Sequence, residues 1–252
     1  MKAVLASLLA SSAVSAGVPR GPTHRHLLIP DGWSNLRIVG GKGGKASGFI
    51  VVSENLLSTM CIGDVDLHYG MATGVCMEGV DVDGNVVGST VTEFKSAEED
   101  YLNFDQVMYA SHDCSGTGEV VVNKVPTYCY TPGPPSTVGA RYSYTTDLEP
   151  WNSYPSGLTI EFFDSNDSCL DTHYSSYIWY SPTACLPSTS GGSILFSKCD
   201  ANTYTLMQYS DAHCTEFAAG VTALLPVCDA TESGDNVSTQ NFQSFMCNTT
   251  SA

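Results

Sequence analysis

Two stretches, Val107-Met-Tyr-Ala-Ser-His-Asp-Cys114 and Met207-Gln-Tyr-Ser-Asp-Ala-His-Cys214, decide how this 252-residue chain is read. Each places a tyrosine five residues before a cysteine, and the two cysteines lie 100 residues apart by subtraction. Related strings end at Cys169 (EFFDSNDSC) and, more degenerately, at Cys61 (ENLLSTMC). Each of these cysteines opens a pair: Cys61/Cys76, Cys114/Cys129, Cys169/Cys185 and Cys214/Cys228, separated by 15, 15, 16 and 14 residues by subtraction. After each second cysteine a polar gap leads into a strand-like piece: GSTVTEFK, GARYSYTT, GSILFSKC and FQSFMCN. Odd copies share His-Tyr after the first cysteine (Asp66-Leu67-His68-Tyr69, Asp171-Thr172-His173-Tyr174). Even copies share a histidine just before it, His112 and His213. This double periodicity implies four tandem repeats, built by duplicating a two-repeat unit.

Between the cysteines the chain is rich in β-branched and aromatic residues, with Gly, Pro, Asn and Asp at intervals, which is a strand-and-turn pattern. The expected fold is all-β: four disulfide-stapled β repeats, packed as a sandwich, barrel-like or stacked modules. Asp83-Gly84 marks a hairpin turn, and only Ser96 to Val107 could carry a short helix. One repeat buries little apolar surface alone, so bridges and neighbouring repeats must hold it. Ten cysteines, an even number, read as a disulfide framework in an oxidising compartment, and the absence of any Cys-x-x-Cys speaks against zinc-thiolate. Each pair is expected to close its own loop, contributing about 3 kcal/mol, with the remaining Cys199 and Cys247 bonded to each other.

The chain opens MKAVLASLLASSAVSAG, a basic start, a short apolar run and small residues before Gly17. Residues 1–16 are read as a signal peptide. Residues 17–47 follow as a basic, glycine-rich flexible arm, of which 17–37 could be removed as a propeptide. The two repeat pairs are 48–140 and 141–252. No run reaches the length of a membrane helix. The sequons at Asn166, Asn236 and Asn248 suit a glycosylated surface. From residue 49 onward four basic residues face 25 of the 26 acids, a charge that repels nucleic acid and anionic membranes.

Leu36-Arg37-Ile38-Val39-Gly40-Gly41 looks like a trypsin-type activation site. Such an enzyme needs histidine, aspartate and serine in convergent motifs. Here Ala212-His213-Cys214 lies far downstream, and Ser188-Thr189-Ser190-Gly191-Gly192 lacks the aspartate and precedes it. Protease chemistry is therefore not supported, and no catalytic residue is assigned. Two candidate sites remain. Asp66 with His68, and Asp171 with His173, sit at strand spacing that turns both side chains one way, so each pair could offer oxygen and nitrogen to a divalent metal. His112 and His213 could join them. Calcium at Asp64, Asp66, Asp81 and Asp83 is the other metal reading, although the loop from Asp81 lacks the EF-hand glycine and glutamate. Otherwise no cofactor is expected. The aromatics Tyr142, Tyr144, Trp151, Tyr177 and Trp179 could stack on sugar rings; the competing reading is that they fill a thin core.

The segments Tyr109-Ala-Ser-His-Asp-Cys114-Ser-Gly116 and Tyr209-Ser-Asp-Ala-His-Cys214 resemble the Tyr-x-(Ser/Asp)-x-x-Cys-x-Gly repeats of secreted cysteine-rich proteins of algae, diatoms and other protists. The resemblance covers residues 49 to 252 as a pattern. It implies an extracellular location and a repeat architecture, and no assigned activity. The expected protein is a secreted β-rich glycoprotein with a structural, adhesive or ligand-binding role, carbohydrate included, toward matrix or cell-surface partners. It would bind no nucleic acid and insert in no membrane, and its basic arm could dock on the acidic body of another copy in self-assembly. An extracellular hydrolase without a recognisable motif and a secreted metal-binding protein are the alternatives, and the weight falls against an enzyme.

Overall fold

The computed structural model describes residues 35–38, 46–56, 58–80, 85–131, 138–163, 174–187, 192–200, 202–225, 227–231 and 241–248. The chain forms β1 (Asn35–Ile38), β2 (Gly48–Asn55), β3 (Leu67–Thr73), β4 (Cys76–Val80), β5 (Val86–Ala97), β6 (Tyr101–Tyr109), β7 (Glu119–Pro126) and β8 (Gly139–Thr145). It continues with β9 (Gly157–Phe163), β10 (Tyr174–Tyr180), β11 (Leu186–Pro187), β12 (Ser193–Cys199), β13 (Thr203–Tyr209), β14 (Phe217–Leu224), β15 (Val227–Thr231) and β16 (Asn241–Asn248). Among the described residues one 3-10 turn, Pro150–Ser153, precedes β9. The protein is all-β, as the residue pattern implies.

Three antiparallel sheets result. The central one has the order β15-β16-β9-β10-β3-β2-β8, and the flanking ones are β1-β4-β5-β6-β7 and β11-β12-β13-β14. In the central sheet β2, β3 and β8 form one half and β9, β10, β15 and β16 the other, meeting where β3 pairs with β10. Strands from residues 48–140 and from residues 141–252 thus contribute to one sheet. Side chains alternate across it. On one face Tyr144 stacks on Phe94 of β5 (3.8 Å between ring centres) and Tyr180 meets Phe196 of β12 (5.0 Å), so both flanking sheets pack on that side. On the other, Phe49 and Tyr177 pack under Trp151 of the 3-10 turn. Covered on both sides, β2 is buried at every position, which is why GFIVVSEN carries a continuous apolar run rather than strict alternation.

The bridges correct the expected pairing. Cys61 bonds Cys129 and Cys76 bonds Cys114, one loop inside the other, in place of Cys61–Cys76 and Cys114–Cys129. Cys185 bonds Cys214, which rules out both Cys169–Cys185 and Cys214–Cys228. Cys199–Cys247 is as expected. The reason is the strand order. Cys76 begins β4 and Cys114 follows β6, and both strands pair with β5, so the two cysteines meet across its end. Cys185 and Cys214 meet in the same way across β12. Loops of 29 to 68 residues close instead of loops near 15, which raises the chain-entropy contribution to about 4 kcal/mol per bridge.

Cys61, Cys114 and Cys214 share one further property, a left-handed backbone at φ 50°, 54° and 55°. Around each, the residue three positions earlier accepts a hydrogen bond on its side chain from the amide just after the cysteine. The pairs are Ser58 with Ile62 (3.0 Å), Ser111 with Ser115 (2.9 Å) and Asp211 with Thr215 (3.0 Å). The Ser/Asp of the sequence motif is thus the clamp that holds a strained non-glycine turn. Asn166 takes that place before Cys169, outside the described residues.

Two other expectations change. Ser96–Val107 is no helix: β6 turns Leu102, Phe104 and Gln106 inward at period two. Asn35–Ile38, read as flexible arm, pairs with β4 and sets Arg37 opposite Glu78. The Asp83-Gly84 turn lies outside the described residues, while β4 and β5 pair as the hairpin it would close.

Candidate functional site

The side chains with most chemistry lie on the face of the central sheet under the segment between β8 and β9. That segment is held by local bonds: the Glu149 amide donates to Asp147 Oδ1 (3.0 Å), Asn152 Nδ2 to Glu149 Oε2 (2.9 Å) and Ser153 Oγ to the Pro150 carbonyl (2.7 Å). Pro150 and Trp151 are buried by it. Beneath, the register lines up Thr159, Trp179, His68 and Ser53 across β9, β10, β3 and β2, with Arg141 of β8 exposed at the end. Tyr154 stacks on the His68 ring at 3.9 Å, and its hydroxyl shares a 2.8 Å hydrogen bond with that of Tyr177. Gly70 and Gly157 admit the Tyr177 and Trp179 rings, where any side chain would collide with them.

His68 Nδ1 and Ser53 Oγ are 2.8 Å apart. Burial, with a smaller contribution from the Arg141 guanidinium, lowers the imidazole pKa to about 4. Glu161 stands opposite Tyr177 on β9, and burial, reinforced by the Glu149 carboxylate, pushes its pKa up to about 8. Both groups are therefore uncharged at neutral pH, the condition under which ionisable side chains are stored in a dry interior. Thr159 Oγ1 and Trp179 Nε1, neighbours in that row, are buried without a hydrogen-bond partner among the described residues.

The sugar-stacking residues do not form an exposed platform. Tyr142, Trp151, Tyr177 and Trp179 are core. Tyr144, half-buried, has one ring face on Phe94 and donates its hydroxyl to the Ser47 carbonyl (3.2 Å). Their flat faces are taken up by one another, so the core-filling reading fits them. Of the metal pairs, the described one, Asp66 with His68, is engaged by other partners. Asp66 Oδ2 accepts from the Leu56 amide (2.8 Å), its carboxyl raised mainly by burial, while His68 is engaged by Ser53 and Tyr154. Asp171, His173, Asp81 and Asp83 lie outside the described residues, as do the sequons at Asn166 and Asn236. His112 is 3.6 Å from Glu78 and the His213 amide donates to Asp211, in turns of two different sheets. Among the described residues no three metal-binding side chains come together. No described helix is long and apolar enough to cross a membrane.

A second region escaped the sequence reading. β7 (EVVVNKVP) and β14 (FAAGVTAL) are outer strands of the two flanking sheets, and each leaves apolar side chains in solvent. Three consecutive valines without alternation were the available signal. Nothing in them distinguishes an outer strand from a central one. No known family model matches the chain, and no curated protein or solved structure is detectably similar to it.

Proposed function

We propose that this chain is a secreted, disulfide-held β protein with a structural or adhesive role at the cell surface or in the extracellular matrix. The observation that carries this reading is the pair of apolar outer strands, β7 and β14, on a body otherwise dominated by acids. Soluble monomers blunt such edges with charge, proline or cover, and apolar surface left open marks an interaction site. Four bridges among the described residues suit an oxidising compartment. The test is expression of the whole chain in a eukaryotic secretory host, followed by binding to matrix proteins and glycans on an array. The expected result is oxidised protein in the medium that is retained on the array. Reduced protein kept inside the cell, or no retention, overturns the reading.

A second reading, ligand binding between the β8–β9 segment and the central sheet, is favoured by the unpartnered Thr159 Oγ1 and Trp179 Nε1. A sugar entering there would have to lift Tyr154 and quench or shift tryptophan fluorescence on titration.

The four-repeat, twice-duplicated ancestry belongs here as well. Ser89 and Ser193 support it. Each donates its hydroxyl to a carbonyl (Ser111, Asp211; 2.7 Å each) and accepts the amide of Cys114 or Cys214 (2.8 and 3.1 Å). If the halves are copies, Cys169 and Cys228 correspond to Cys61 and Cys129, and peptide mapping without reductant finds them bonded to each other.

A further inference from the structure

We infer that β7 of one copy pairs antiparallel with β14 of the next, so that the chain assembles head to tail through its flanking sheets; this rests on the structural role proposed above. β7 exposes Val120 (54%) and Val122 (73%), and β14 exposes Phe217 (59%) and Leu224 (72%). From Phe217 to Leu224 there is no charged residue, and Lys124 is the one positive charge on β7. The two strands are complementary rather than alike. An antiparallel register that sets Val120 opposite Gly220 also sets Val121 opposite Ala219 and Val122 opposite Ala218, large residues against small. The same register brings Lys124 opposite Glu216, a charge pair at the end of the ladder. The partner is therefore a second copy, which supplies the small-residue strand and, in Glu216, an acid opposite Lys124.

Pairing of this kind joins β4-β5-β6-β7 of one chain to β14-β13-β12-β11 of its neighbour as one continuous sheet. Each chain holds one β7 and one β14, so the contact is heterologous and leaves both ends of the assembly open. A net charge of −16 on every copy opposes association, so added salt should strengthen it.

The experiment uses two double variants of the full chain in analytical ultracentrifugation. Val120→Lys with Val122→Lys disables β7; Ala218→Lys with Leu224→Lys disables β14. All four positions are exposed, and circular dichroism and melting should match the wild type. The added lysines reduce repulsion between copies, so lost association cannot come from charge. Wild type is expected to gain mass with concentration and with salt. Each variant alone should sediment at the monomer mass, and an equimolar mixture should give one dimer, twice that mass, and nothing larger. The dimer also reports that both variants are folded. The single variants Val122→Lys and Leu224→Lys repeat the test should a double variant melt early. A β14-disabled variant that still dimerises alone, or a mixture that stays monomeric while wild type associates, overturns the pairing. A wild type that stays monomeric at all concentrations also overturns it, and leaves the adhesive reading to its own array test.

Discussion

β2 and β7 are both eight residues long and both valine-rich, GFIVVSEN and EVVVNKVP, yet one is buried at every position and the other is exposed over its first four. Composition does not separate them; position in a sheet does. β2 lies between β3 and β8, with a flanking sheet on one face and Trp151 and Tyr177 against Phe49 on the other. β7 has β6 on one side and nothing described on the other. The same side chains therefore serve stability in one strand and leave an exposed apolar surface in the other.

The contrast can be broken first at its strongest point. Val51→Asp puts an unpaired carboxylate into the centre of β2 and should cost more than about 4 kcal/mol. The expected outcome is loss of soluble folded protein, read by expression and urea unfolding; retention of the wild-type midpoint would mean β2 is not the buried member of the pair.

A smaller effect is predicted from the interior's ionisable groups. Glu161 keeps its proton in the fold up to about pH 8, against an ordinary value of 4.5. The folded state then binds more protons over that window, and stability declines as pH rises through it. His68 stays neutral down to about 4 against an ordinary 6.5, and removes stability as pH falls between those values. The two effects oppose each other from about pH 4.5 to 6.5. Above 6.5 the glutamate effect is no longer opposed by His68, so stability should fall from pH 6.5 to 8 by up to about 1.4 kcal/mol per pH unit, seen as a falling melting temperature. Glu161→Gln should flatten that limb, and a persistent slope in the variant would assign it to other groups.

Ser89→Ala removes the hydroxyl that joins the Ser111 carbonyl and the Cys114 amide, at a cost of about 1–3 kcal/mol. Ser193→Ala should cost a similar amount in thermal denaturation, and a difference beyond that range between them would set the two sheets apart. Least affected is Val122→Lys. At an exposed site on an outer strand its stability in thermal denaturation should match wild type within about 0.5 kcal/mol, while self-association is lost.

Much of the architecture was legible before any coordinates. β-Branched and aromatic runs between turn residues announced an all-β chain, and Cys199 with Cys247 were matched by their equivalent places. The serine or aspartate three residues before Cys114 and Cys214 was visible as a pattern, although its clamp function, shared by Ser58 before Cys61, needed the backbone conformation of Cys61, Cys114 and Cys214. The other bridges were not legible, because linear spacing does not record that β5 lies between Cys76 and Cys114. Ser96–Val107 was the one stretch read as able to carry a short helix, and tertiary burial of Leu102 and Phe104 at period two makes it strand. By residue type the aromatics could stack on sugar as well as fill a core. Burial of Trp151, Tyr177 and Trp179 is a property of the packed sheets that no local string encodes.

Cys61–Cys129 and Cys76–Cys114 lie wholly in the first half, and Cys185–Cys214 and Cys199–Cys247 wholly in the second. Among the described residues nothing covalent but the polypeptide itself spans Cys129 to Cys185. A protease that nicks the chain anywhere inside the nested loop from Cys61 to Cys129 liberates no fragment, whereas a nick near Tyr154 leaves two individually latched pieces held by noncovalent contacts alone, the β3–β10 ladder and the Phe49–Tyr177 ring pair among them. The molecule carries a parting line along its middle, and denaturant without reductant is enough to open it once that cut is made.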